Sequence, residues 1–233
     1  MDGTLIDAGS SLALQIDDWA FVLEHADYLL GGTVITILLT IASVLLGFLL
    51  GFPAGAVEVY GGRYSKGLVS TVGVVLRGTP ILVILIVMFF VVSINSAFLA
   101  AILGLGLRSA AYQSQIFRGA IQSVDEGQIE AARSVGMSKL EAIRHVVVPQ
   151  SLRRSVPGFQ NEFTIVLKDT SIAFAIGLAE LLSRSYDLFV QQTTAVLEII
   201  LFASAIYFVL TFSTNRALDR LADAYAIPGG ETA

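Results

Sequence analysis

The sequence predicts an all-α membrane protein: five transmembrane helices, an N-terminal amphipathic surface helix and a polar cytoplasmic loop. Composition is the first reason. The chain has 233 residues, 55% of them hydrophobic and 14% charged, with a mean hydropathy of +0.77, whereas a soluble domain carries about a quarter charged residues. Pattern is the second reason. Charge-poor stretches recur along the chain, and about 20 apolar residues cross a hydrocarbon core. The third reason is the one-sided placement of lysine and arginine between those stretches. A net charge of -5 argues against nucleic acid as a partner. The lack of cysteine excludes a disulfide framework and a thiolate metal site.

Residues 12–30 come first. Leu12, Ile16, Trp19, Leu23, Ala26 and Leu30 recur every three or four positions, and Asp17, Asp18, Glu24 and Asp27 lie largely off that stripe. This pattern predicts an amphipathic helix, too polar to span, lying on the outer surface with Trp19 in the interface. No cleavable signal peptide is expected, because the first residues are acidic and no basic segment precedes an apolar one.

The first span is Tyr28–Val57. In it Ser43, Gly47, Gly51 and Gly55 fall four apart, a small-residue face suited to close helix packing. The second span, Gly67–Val92, is interrupted by Arg77 and Pro80. The third, Ala97–Ile121, contains Arg108 and Arg118. The fourth, Phe159–Leu182, contains Lys168 and Asp169. The fifth is Thr193–Asn215. With the N-terminus outside, Arg63, Lys66, Arg133, Lys139, Arg144, Arg153, Arg154, Arg216 and Arg220 are cytoplasmic and only Arg184 is external. Positive residues gather on the cytoplasmic side of membrane proteins, which selects this orientation. The division is then an extracytoplasmic segment 1–31, one membrane domain 32–220 with a cytoplasmic loop 123–157, and a cytoplasmic tail 221–233.

Within the loop, Gly127–Val135 holds good helix formers and Gly136 suits a left-handed helix end. Ser138 with Glu141 forms a capping box for a second helix, whose apolar face is Leu140, Ile143, Val146 and Val147. Pro149 biases Val148 away from helix and closes the segment. Glu130-Ala131-Ala132, then Gly136, then Val146-Val147-Val148-Pro149 resembles the EAA loop of ABC-transporter membrane subunits, with Val146 and Val148 in place of Ile and Leu. Leu76-Arg77-Gly78-Thr79-Pro80, Ile116-Phe117-Arg118-Gly119-Ala120, Asn161-Glu162-Phe163 and Leu167-Lys168-Asp169-Thr170-Ser171 are similar to segments of polar amino acid permeases. Gln115 departs from many members, which carry Glu there.

The resemblance covers roughly residues 29–220 and implies the type I importer permease fold. It implies a subunit of the prokaryotic inner membrane that moves polar amino acids inward, driven by separate ATPases. Glu130, Ala131, Ala132 and Gly136 would dock on the cytoplasmic ABC ATPase. An extracytoplasmic binding protein would deliver the amino acid. A second permease subunit would complete the path, a homodimer being favoured over a heterodimer because closed two-fold symmetry is the usual solution. The chain lacks a G-x-x-x-x-G-K-[ST] loop, so ATP-Mg is expected on the partner. No catalytic residue and no metal site are expected, since His25 and His145 are isolated.

Ionisable groups inside spans face a cavity, a partner or the interface. Glu162 and Asp169, seven apart, fall on nearly one face of the fourth span. As a pair on a shared path they would attract a cationic side chain or an α-ammonium group. The alternative is that they pair with Arg77 or Arg108 as a brace. Gln115 and Arg77 complete the substrate-path candidates, with Arg77 equally suited to brace the second span. Two rival functions stay open: a scaffold or channel subunit uncoupled from any ATPase, and a secondary transporter, for which no inverted repeat is visible.

Overall fold

The computed structural model describes residues 17–224, and every regular element among them is helical. A short helix α1 (17–24) breaks at His25, and α2 (Ala26–Tyr60) follows at once. The predicted surface helix over 12–30 is therefore divided: its last residues are the first turns of α2, while Leu12 and Ile16 lie outside the described residues. Trp19, Leu23 and Leu30 are exposed and Val22 and Leu29 are fully buried. The apolar stripe thus faces away from the chain, and the residues between its members build the core. Asp18 is buried at the α1 base and accepts a 2.7 Å hydrogen bond from the Thr194 hydroxyl, which fixes α1 beside the 3₁₀ turn at Thr193–Ala195.

The small-residue face of α2 meets α5 (Ala97–Gln122) at backbone distance. A Cβ on Gly51 would lie 2.8 Å from the Ala110 carbonyl oxygen, and one on Gly55 2.7 Å from that of Ser114. Phe48 and Phe52 close the seam edge-on against Phe117. α5 is started by Ser96, whose hydroxyl accepts from the Leu99 amide.

The second predicted span is not a rod. α3 (Arg63–Gly78) and α4 (Ile81–Ile86), which continues as a wide π-type turn over Val87–Val91, are bent by 105°. Pro80 forces Thr79 into extended backbone (φ -91, ψ 130), and the Thr79 hydroxyl caps Val75 O at 2.7 Å. The fourth is also shorter than predicted. α9 (Val156–Asp169) tightens into a 3₁₀ stretch, Thr170–Ile176, and Gly177 at φ +78 ends it before Leu182. Glu180 then caps α10 (Leu181–Gln191), accepting from the amides of Leu182 and Ser183. After a 3₁₀ turn at Thr193–Ala195, α11 (Val196–Ala224) completes the described chain.

α2 and the stretch Thr193–Arg220 are each long and apolar enough to cross a membrane. Leu38, Leu45 and Leu49 on α2 and Leu197, Phe208 and Phe212 on α11 are exposed, an apolar surface that lipid covers and water does not. Inside, Leu39, Leu85, Leu105 and Ile176 form one cluster near the α3–α4 bend. Val22, Leu29, Leu181 and Ile199 form another at the α1 end.

Candidate functional site

The loop between α5 and α9 is built from local signals. Asp125 starts α6 (Glu126–Ser134) by accepting from Gly127 N at 2.6 Å. At its end the Gly136 amide bonds Arg133 O and the Met137 amide bonds Ala132 O. This is a complete Schellman closure with Gly136 at φ +95, as its sequence position predicts. Ser138 and Glu141 form the predicted capping box at the start of α7 (Lys139–Ala142). The Ser138 amide donating to Glu141 at 2.8 Å holds that exposed carboxyl below the usual range.

Pro149 does not close the segment. A π-type turn over Ile143–Val147 carries α7 into α8 (Val148–Arg154), and Val148 stays helical at φ -57, ψ -51. The wider turn makes room for the proline ring and shifts the hydrogen bonds one residue along, so the missing donor breaks nothing. The loop is thus two helical segments turned at Gly136, as predicted, but the second runs on through α8 instead of stopping at Pro149.

Glu130, Ala131 and Gly136 are exposed, whereas Ala132 is buried against its own chain. Leu140, on the predicted apolar face, is 75% exposed, and Val135 is 78% exposed. Val135, Gly136, Met137, Glu141 and His145 surround a cleft of about 330 Å³. The arm is fastened at its base: Val147 packs with Ile121 and Val124 of the α5 end, and Ala56, Val59 and Ile129 close over them. Arg154 donates to the Ser123 carbonyl, and Gln150 to the Gln128 side chain.

Of the four candidates for a substrate path, two come together. Arg108 of α5 pairs with Asp169 at the end of α9 and lies over the Tyr112 ring at 5.2 Å. Glu162, one of the most buried carboxyls, has Ser109, Arg108 and Asp169 as polar neighbours. Asp169 is therefore ion-paired with Arg108 and does not stand as a free carboxylate beside Glu162. Among the described residues the Nε of Arg108 is buried without a partner. Arg77 meets no carboxylate: it runs back over Gly73 and donates to the Ala111 carbonyl at 2.7 Å, tying α3 to α5. Gln115 lies apart, at the Gly55 end of the seam, donating to both carboxylate oxygens of Glu58 at 2.8 and 2.9 Å.

Two buried acids escape a reading by spans. Glu58 sits just past Val57, where the charge-free stretch ends, yet α2 runs on to Tyr60 and Gly61 stops it. The signal was that glycine pair, Gly61-Gly62, which places the helix end three residues later. Glu180 is fully buried as the α10 cap and also accepts from Tyr207; its signal was Ser183 three positions on, which supplies the amide donor.

Residues 43–226 match the family described as the binding-protein-dependent transport system inner membrane component. Among curated relatives, the nopaline transport system permease protein NocM of Agrobacterium fabrum is 33% identical over 213 residues, covering 85% of this chain and 88% of that protein. The probable glutamine ABC transporter permease protein GlnP of Bacillus subtilis is 34% identical over 213 residues, covering 87% and 95%. A crystal structure of an amino acid ABC transporter with histidines superposes at a TM-score of 0.80 with 31% identity, over 88% of this chain and 98% of that one. An inward-facing structure of the MetNI methionine ABC transporter shares the fold at a TM-score of 0.75 and 20% identity, over 88% and 99%. Both the match along the chain and the shared architecture lead to one conclusion: this chain belongs to the family of binding-protein-dependent transport system inner membrane components, the permease subunits of ABC importers.

Proposed function

We propose that this permease carries polar L-amino acids inward through a path lined by α5 and α9, as one half of a homodimer. Members of the family are transport components, and ATP hydrolysis is the work of separate partner subunits. Its relatives include a glutamine transport system permease, a probable amino-acid permease and nopaline and octopine transport system permeases, which supports the substrate class. Five spans, the N-terminus outside and the C-terminus in the cytoplasm complete the reading. The division is a segment 1–31 outside, a permease domain 32–220 and a cytoplasmic tail 221–233.

The observation that carries the proposal is the α6–α8 arm. Its turns are fixed by a Schellman closure and a capping box, its base is locked to α5, and its tip leaves Glu130, Ala131, Val135 and Leu140 bare. A rigid projection with an uncovered apolar tip is suited to a groove on the ATPase, which holds ATP-Mg. Gly136 sets the angle of the tip, and Ala132 supports it from beneath. The binding protein delivers the amino acid on the opposite side.

At the path, Asp169 and Glu162 offer oxygen acceptors for an α-ammonium group, and the free Nε–H of Arg108 offers a donor to an α-carboxylate. Because Arg108 neutralises Asp169, this cluster favours the zwitterionic head of any amino acid more than a cationic side chain. Arg77 and Gln115 act as braces around the path. The test is Glu130→Lys in the chain expressed with its ATPase. ATP-dependent uptake and ATPase recovery should both fall, with the amount of permease in the membrane unchanged. Full uptake with no ATPase recovered from the native chain would instead establish the rival, a channel or scaffold subunit.

A further inference from the structure

One apolar footing of the arm in its own chain joins two helices. Ile121 belongs to the end of α5 and Val124 to the turn just after it, while Ala56 and Val59 belong to the end of α2. Any force on the arm therefore reaches both helices at once. Whether they answer as one body depends on what binds them above that footing.

Directly above it, Glu58 of α2 is 9% exposed and turned into α5. Gln115 bonds both of its oxygens, and Arg118 approaches at 3.4 Å from the next turn of α5. Gln115 is in turn held by Ser114 and Arg118. Next along the seam, Gly55 and Gly51 bring the α2 backbone against the carbonyls of Ser114 and Ala110. Small residues permit close approach but also permit sliding, since they interlock little. A directional bond from a buried carboxylate to an amide and a guanidinium does not, because each donor position is fixed.

We infer that Glu58 is a positioning residue: it locks the cytoplasmic ends of α2 and α5 into a single lever, so that displacement of the arm moves both helices together. This rests on the transport reading above. Removing the carboxylate leaves the seam its glycines, the Phe48 and Phe52 contacts with Phe117 and the Gln113 bond to the Val44 carbonyl, but frees the helix ends next to the arm. α5 would then follow the arm while α2 lags, and ATP would be hydrolysed without the path opening fully.

The chain has no cysteine, so Tyr60→Cys and Gln122→Cys place two spin labels on the exposed ends of α2 and α5 in the assembled complex. The partner ATPase is stripped of reactive thiols. The label distance is measured without nucleotide and after trapping with ATP and vanadate. Uptake of labelled L-glutamine per ATP hydrolysed is measured in parallel. With Glu58 present, the distance should be the same in both states. In Glu58→Ala it should change or broaden on trapping, and uptake per ATP should fall about ten- to a hundredfold, the scale of a lost positioning contact.

A distance that already changes with Glu58 present overturns the inference, as does a Glu58→Ala chain that keeps both distance and coupling. If Glu58→Ala fails to accumulate, the exchange Glu58→Gln with Gln115→Glu decides. It restores the carboxylate–amide bond in reverse and should restore both readouts; failure to do so overturns the inference. A native chain that recovers no ATPase would fail at the earlier step and refute the transport reading itself.

Discussion

Gly55→Ala tests the α2–α5 seam directly when paired with Gly67→Ala. At Gly55 the added Cβ would lie 2.7 Å from the Ser114 oxygen, 3.0 Å from the Phe117 Cβ and 3.1 Å from the Arg118 nitrogen. None of these can rotate away, so the helices must separate. At Gly67 nothing lies within 4 Å of the new carbon. Both substitutions gain the same helix propensity, about 1 kcal/mol, which cancels in the difference between the variants. What remains is the overpacking cost, about 1–3 kcal/mol. For a chain of this size that corresponds to a melting-temperature gap of about 2–12 °C, with Gly55→Ala the lower. Thermal unfolding of the detergent-solubilised chain measures it. Equal melting temperatures, or a higher one for Gly55→Ala, would show that the two backbones are not in contact.

Gly136→Val forces a β-branched residue into φ +95, a cost of about 1–2 kcal/mol or more; uptake should fall while membrane content holds, and unchanged uptake would detach the turn from coupling. Asp169→Asn strips Arg108 of its counter-charge and should abolish uptake of glutamine and arginine alike; selective loss of arginine uptake would mean that Asp169 reads the side chain instead of the head group. The lowered pKa of Glu141, caused first by the Ser138 amide, means that its contribution to the turn is complete above the ordinary glutamate value of about 4.3 and is lost as pH falls through its depressed value. Hydrogen exchange at the Ser138 amide should accordingly stay slow down through that ordinary value, and acceleration already at pH 6 would refute the capping role.

Local rules made the arm legible. Gly136, Ser138 and Glu141 act within one or two turns, so their neighbours in sequence are their neighbours in space. The face of Ser43, Gly47, Gly51 and Gly55 was legible for the same reason, because helical period alone aligns it. Partners across helices were legible at most as alternatives, as with Arg77 or Arg108 for Asp169. That Asp169 meets Arg108, or Gln115 meets Glu58, depends on the rotation of α9 and α2 about α5, which no spacing within one helix sets. Pro149 misled because its usual effect assumes an ideal helix; a π-type turn just before it removes the clash. Pro80 obeyed the rule, with no wider turn before it, and there the chain bends by 105°.

Arg154 and Ser123 lie 31 positions apart in sequence, yet one side chain clips them together. The 125–154 excursion therefore leaves and rejoins the bundle through a single neck. A piece with adjoining ends can be cut out and replaced without altering the spacing of what it springs from. Permeases built this way could exchange motors by swapping one short cassette, while the pore and its cargo preference stay with the rest of the polypeptide.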